Sequence, residues 1–331
     1  MSDNKILLCA MCKMENNYLG EWVSYHLNIG FDKIVIIDNN DTIGSYAENI
    51  MDVAEISEGV SNGSVEIYPL NNGKYLQQVY YNKVYEKYKN EFDWFCFLDI
   101  DEFLTLTDTN SVKEFVQLPQ FKDFNAIRIC WKCYGDNDLI TVDGNYSVLD
   151  RFVEPSFQED STLVKTIFRS FGDEDLLFVN SHGPTAVTMK GCNTNGRLLN
   201  TPQKASISRK DTTYEHAYIK HFITKTLEEY INKKMVRGGS AQSQIDLNKK
   251  YNLSNFFRYN IITDKHIEFL KNNGFDSEDF EQYKYDDEYK IMMGHRMKRR
   301  RMMEERMMEH QTRQPRMMED QMMKYRRNYK M

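Results

Sequence analysis

The sequence predicts an α/β fold built as a doubly wound, mixed sheet, followed by a helical C-terminal extension and a low-complexity tail. Three observations predict it. Apolar runs alternate with helical stripes over the first part of the chain, the runs are continuous, as in strands covered on both faces, and they close on polar loops. The first strand is Lys5 to Cys12. Leu19, Trp22, Val23 and Leu27 then fall at i, i+3, i+4 and i+8, an amphipathic helix that Gly30 stops, and Trp22 and Val23 read as core. Lys33 to Asp38 is the second strand, closing on the loop Asp38-Asn39-Asn40-Asp41. A second helix is expected from about Ser45 to Ile56, and a third strand at Ser64–Tyr68 that Pro69 ends. Leu76, Val79, Tyr80, Val84 and Tyr88 make a third helical stripe, and Phe92–Leu98 is the next strand. Beyond it, Asn125–Cys133 is strand-like, while 147–171 and 176–188 read as short antiparallel strands. From Thr224 the pattern is helical to Arg237, where Gly238-Gly239 ends it, and 241–290 reads as more helix with a break at Asn272-Asn273-Gly274.

Charge separates the body from the tail. The net charge of −6 over 331 residues conceals 12 Lys/Arg against 5 Asp/Glu in residues 295–331, leaving 31 against 44 in residues 1–294. Such a body does not coat nucleic acid. Residues 292–331 also hold 12 of the 18 methionines, in units such as Arg301-Met302-Met303-Glu304 and Arg306-Met307-Met308-Glu309. Five residues advance about 500° around a helix, so these methionines spiral and form no seam. The expected division is therefore 1–240, 241–294 and a basic tail, 295–331.

No run reaches the ~20 apolar residues that span a bilayer, and the amino terminus lacks the pattern of a secretion signal, so a cytoplasmic, reducing location is expected. Six cysteines then stay thiols. Cys9-x-x-Cys12 and Cys130-x-x-Cys133 imitate zinc knuckles, but both lie in strands, where residues three apart face opposite sides.

The chemistry is expected at Asp99-Ile100-Asp101-Glu102, at the carboxyl end of the strand Trp94–Leu98. Asp136-x-Asp138 and Asp173-x-Asp175 share the spacing, but only the first pair follows a core strand, where ligands of open α/β sheets bind. Two carboxylates on one short turn can hold a hard divalent cation, or they simply cap that turn.

Lys13-Met14-Glu15, Glu21-Trp22-Val23 with Tyr25-His26, Asp38-Asn39, and Trp94-Phe95-x-Phe97-Leu98-Asp99-Ile100-Asp101-Glu102-Phe103-Leu104 resemble family-2-type glycosyltransferases of the group related to family 92. His221-Phe222-x-x-Lys225-Thr226-x-Glu228-Glu229-Tyr230, with Lys233 or Lys234, resembles that group's second block. The resemblance runs in order from about residue 5 to 240.

It implies a GT-A fold and inverting transfer of a hexosyl-type sugar from a nucleotide-sugar donor, a UDP-sugar first, to a glycan or other hydroxyl acceptor, with Mn²⁺ or Mg²⁺. On this reading Asp101, Asp99 and His221 ligate the metal, Asp99 alternatively meeting the ribose, and Lys225 contacts the diphosphate one helical turn beyond His221. Asp38 takes the imide hydrogen of uracil, with Lys13 and Glu15 lining the same crevice. His221 also reads as a partly buried histidine at a helix start, Asp38 as a loop cap and Glu15 as a first-turn acid. Three residues compete as the base that deprotonates the acceptor: Asp136, Asp150 and His182. Two other readings stand beside this one. The fold would be a glycosyltransferase-like binding module without activity, or the tail, through Lys298-Arg299-Arg300-Arg301, would bind nucleic acid or an anionic membrane surface.

Overall fold

A computed structural model describes residues 4–45, 47–71, 73–172, 175–237 and 252–283. The chain divides into two compact units, Met1–Phe280 and Glu281–Met331. The tail and its proposed contacts lie outside the described residues, as does Asp173-x-Asp175 in part.

Among the described residues nine strands form the main sheet, in the order β3-β2-β1-β4-β7-β6-β11-β5, with β10 beside β6. β1 (Ile6–Cys12), β2 (Lys33–Asp38), β3 (Val65–Pro69) and β4 (Trp94–Phe97) are mutually parallel and form the first half. β7 (Pro155–Arg169) then runs antiparallel to both β4 and β6 (Ala126–Tyr134), and β11 (Ala217–His221) lies between β6 and β5 (Glu102–Leu106). β10 (Gly191–Asn193) adds to β6, and β8 (Leu176–Asn180) with β9 (Gly183–Ala186) makes a separate hairpin. A parallel half with the acidic turn after β4, joined to a mixed half, is GT-A-like.

The continuous apolar runs split their side chains between two layers. Ile6, Leu8, Ala10 and Cys12 of β1 join α1 (Asn16–Asn28) in one core, while Leu7 and Cys9 join α3 (Gln77–Tyr88) in the other. Burying a large aliphatic side chain contributes about 1.5–3 kcal/mol, so a register slip of one residue would exchange the two layers at prohibitive cost. The alternation also separates Cys9 from Cys12, and all six cysteines are buried and none is in a disulfide. Burial pushes the Cys130 thiol up to about 11 and the Cys192 thiol up to about 12.

Three local expectations shift. The second helix is not 45–56: Asn49 caps a short 3₁₀ turn at Ile50–Asp52, and α2 runs over Ala54–Asn62 to a left-handed Gly63. In α3 the buried face is Tyr81, Val84, Tyr85 and Tyr88, with Val79 exposed, because the tyrosines hide their rings and keep hydroxyl partners such as the Phe171 carbonyl. Residues 155–169 are one long strand with register shifts against β6. Among the described residues the remaining helices are α4 (Val112–Val116), α5 (Val148–Arg151), α6 (Leu227–Glu229), α7 (Met235–Arg237), α8 (Leu253–Phe257), α9 (Asp264–Asn272) and α10 (Ser277–Phe280). Gly30, at φ +99°, ends α1 in a conformation that few other residues adopt.

Candidate active site

The turn after β4 is built by its own acids. Glu102, fully buried, accepts the backbone N–H of Asp99 at 2.9 Å, and the Glu102 N–H returns to the Asp99 carbonyl at 3.0 Å. β7 pairs Ile167 with Cys96, which carries Lys165 of the same strand past the end of β4. There its ammonium meets Asp99 at 2.8 Å and Glu102 at 3.0 Å. Burial works to discharge Lys165, but these two carboxylates overcome it and hold the ammonium above its ordinary range. Burial likewise pushes Glu102 up to about 8, against the pull of Lys165. Asp99, partly exposed, is opposed by burial yet held below the usual carboxylate range by Lys165.

Asp101 faces the other way. β11 pairs His221 with both Glu102 and Cys133, and the Phe222 N–H donates to the Asp101 carbonyl, so the strand end stands over the acidic turn. His221 Nε2 lies 3.6 Å from Asp101 Oδ1, and Lys234 Nζ lies 2.9 Å from Asp101 Oδ2. Burial opposes ionisation of Asp101, but Lys234 and His221 hold it well below the usual range; burial keeps His221 below its ordinary value, hence neutral near pH 7. Its Nδ1 is a buried nitrogen without a hydrogen-bond partner among the described residues. His221 therefore ends a strand, and Lys225 lies in the loop beyond it, not one helical turn on.

Lys225, Lys233 and Lys234 share a pocket with Glu15, Tyr18, Thr224 and Glu229. Thr226 and Glu229 form a capping box that starts α6. Residues Tyr230–Lys234 then continue as a π-helical turn, a rare geometry frequent at functional sites. Lys225 itself is left-handed, at φ +58°. Lys225 and Lys233 stand 4.6 and 5.1 Å from the centroid of the Tyr18 ring. Glu15, from the loop after β1, lies 3.8 Å from Lys225, which joins the first motif to the second block. Asp38 ends β2 opposite Cys12, half-buried, and burial raises its carboxyl. Lys13, beside it in the next loop, turns to Asp41 at 3.2 Å.

A family profile described as Glycosyltransferase family 92 matches residues 8–273. The chain belongs to glycosyltransferase family 92. A glycosyltransferase family 92 protein of Ricinus communis is 25% identical over 133 residues, 40% of this chain and 22% of the relative, so this chain spans about a fifth of that protein's length. Among solved structures, Staphylococcus aureus TarS 1-349 in complex with UDP is 12% identical, covering 50% of this chain and 47% of the other at a TM-score of 0.31. A second S. aureus TarS structure is 11% identical, covering 82% and 45% at 0.35. The galactosyltransferase LgtC, with donor and acceptor sugar analogs, is 14% identical, covering 38% and 46% at 0.22. Likenesses of this size say nothing of a shared activity.

In this family 92 chain the three candidate bases have different surroundings. Asp136 is buried; its N–H donates to Asn260 and its Oδ2 lies 2.6 Å from His266 Nε2, which ties the loop after β6 to α9. Asp150 is exposed on α5, a helix capped by Ser147. His182, half-buried between β8 and β9, faces the Val164 carbonyl through Nδ1 at 3.0 Å and Trp131 at 5.7 Å, the same indole that packs on His221 at 4.3 Å. Burial, then Lys165, lowers its pKa.

Among the described residues, no three Asp, Glu, His or Cys side chains converge as a metal site. Asp101 and His221 approach one another, whereas Asp99 is turned to Lys165 and one oxygen of Asp101 already takes an ammonium. The donor set does not fit the expected Mn²⁺ or Mg²⁺.

Two parts of the site escaped sequence reading. Lys165 is one cation in the apolar run Leu163–Phe168, an anomaly that by itself names no partner. Glu229 was visible only as part of the second block. It accepts the Tyr18 hydroxyl and both terminal nitrogens of Arg151 at 3.0 Å. Burial opposes, yet Arg151 and Tyr18 pull its carboxyl from near 4.5 down to about 2. A depressed folded-state value means its stabilisation is complete above pH 4.5 and lost as pH falls through about 2. Glu229→Gln is therefore expected to flatten the pH dependence of stability across that window, measured by urea unfolding; an unchanged slope would refute the assignment.

Proposed function

We propose that this chain transfers a hexosyl-type sugar from a nucleoside-diphosphate donor, a UDP-sugar first, to a glycan or other hydroxyl acceptor, with inversion. The observation that carries this reading is the pocket in which three lysines and Tyr18 meet the acidic turn at the carboxyl ends of the strands. Asp38 and Glu15, at the ends of β2 and β1, are the residues for the nucleoside side, Asp38 accepting the imide hydrogen of the base. Asp101 and its cationic neighbours take the diphosphate side.

In the reaction the acceptor oxygen attacks the anomeric carbon as the bond from that carbon to the phosphate oxygen breaks. The acceptor proton goes to a base, and the electron pair of the broken bond leaves on the nucleoside diphosphate. Of the three candidates, His182 suits the base best. With Nδ1–H donated to the Val164 carbonyl, its Nε2 carries the lone pair, and its lowered pKa keeps it unprotonated. Asp136 is engaged by His266 and Asp150 lies on an exposed helix. Asp99 is held at the edge of the site for the ribose. No step runs through the divalent ion, whose ligands are not assembled.

A screen of nucleotide sugars by calorimetry, followed by transfer and donor-hydrolysis assays, tests the reading. At least one donor is expected to bind and turn over, with His182→Gln losing turnover while keeping donor binding. Binding without turnover for every donor would make the chain a binding module; no binding at all would overturn the reading.

A further inference from the structure

Of the three expected metal ligands, Asp99 and Asp101 each face a lysine, and the two lysines differ in what they can reach. Lys165 is 1% exposed and spans Asp99 and Glu102, so it is part of the scaffold of the turn. Lys234 is 16% exposed, rests on Asp101, and lines the pocket beside Lys225 and Lys233. Its ammonium therefore takes Oδ2, one of the two carboxylate oxygens that Asp101 could offer a cation. Glu15 lies 3.8 Å from Lys225 and Glu48 lies 3.9 Å from Lys233.

The backbone is distorted to bring these charges together. The π-helical turn Tyr230–Lys234 sends Lys233 toward Tyr18 and the Met14 carbonyl, and the adjacent Lys234 toward Asp101. Lys225 holds a left-handed conformation that is strained for a residue other than glycine. Such distortions persist where surrounding structure enforces them, and here both converge on one pocket.

We infer that in this chain Lys234, seated on Asp101 and flanked by Lys225 and Lys233, stands in place of a divalent cation and neutralises the leaving diphosphate, so that donor binding requires no metal. This rests on the transferase reading above. Asp101 is then the positioning residue for Lys234, and the three ammonium groups supply the positive charge that phosphate oxygens need as the bond to the sugar breaks.

Calorimetry on the full chain with UDP, GDP, ADP and CDP, in EDTA and again with Mn²⁺, decides the matter. At least one nucleotide is expected to bind in EDTA with an affinity within about threefold of that with Mn²⁺, and Lys234→Met to weaken binding in EDTA by about tenfold or more, a loss of about 1.4 kcal/mol. Lys265→Met, at an exposed residue on α9, is the control expected to change nothing. Binding that appears only with Mn²⁺ overturns the inference and leaves the transferase reading standing. Absence of binding under both conditions overturns both. The measurement on the unmodified chain stands even if Lys234→Met fails to fold.

Discussion

Asp101→Ala is expected to lower turnover by about 10²- to 10³-fold, the size of effect seen when one group that stabilises transition-state charge is removed. The carboxylate is 4% exposed and anchors Lys234 at 2.9 Å and His221 at 3.6 Å. Without it the ammonium loses its fixed position, and a charge that must be oriented in advance is left to solvent. The fall should appear in kcat more than in KM, because the charge on the leaving group grows only as the bond breaks. Steady-state kinetics with the donor identified by the screen gives the result, with circular dichroism and a thermal melt to establish that the variant is folded. A folded Asp101→Ala variant with ordinary kcat would remove Asp101 from the mechanism.

The second large effect is on stability. Lys165→Met keeps most of the side-chain volume but leaves Asp99 and the fully buried Glu102 without their shared cation. Breaking a buried ion pair on one side costs about 3–5 kcal/mol, a large part of the ~5–15 kcal/mol that holds a domain folded. Equilibrium urea unfolding is expected to show a loss in that range. Adding Glu102→Gln removes the buried acid that Lys165 served and should restore part of it. A loss under about 1 kcal/mol in the single variant would mean that Lys165 does not hold the turn.

Much of the fold was legible because its rules are local. Continuous apolar runs in β1, β2 and β4 could satisfy two layers only by alternating, and the same alternation turns Cys9 and Cys12 to opposite faces and so excludes a zinc site there. Where local signals compete, the sequence alone misleads. Val79 and Tyr81 both suit a buried helix face, and only the neighbouring sheet chose the tyrosine. The helix expected near Ser45–Ile56 is displaced because the Asn49 side chain satisfies the backbone of a short turn first. Lys225 reads as one helical turn beyond His221 because nothing in His221-Phe222-x-x-Lys225 distinguishes a helix start from a strand end. The pairing of β11 with β5 and β6 does distinguish them.

The sequence by itself determined the layer architecture, the position of Asp99 and Asp101 at a strand end, and the order of motifs that places the chain in glycosyltransferase family 92. Those features depend on periodicity and on residues adjacent in the chain. The tertiary structure decided which charge each acid meets. Lys165 reaches Asp99 across 66 positions and Lys234 reaches Asp101 across 133. Such pairs are set by the register of antiparallel strands and by a π-helical turn, and burial makes the choice of partner decisive: a charge removed from water must find its counter-charge wherever the fold brings one.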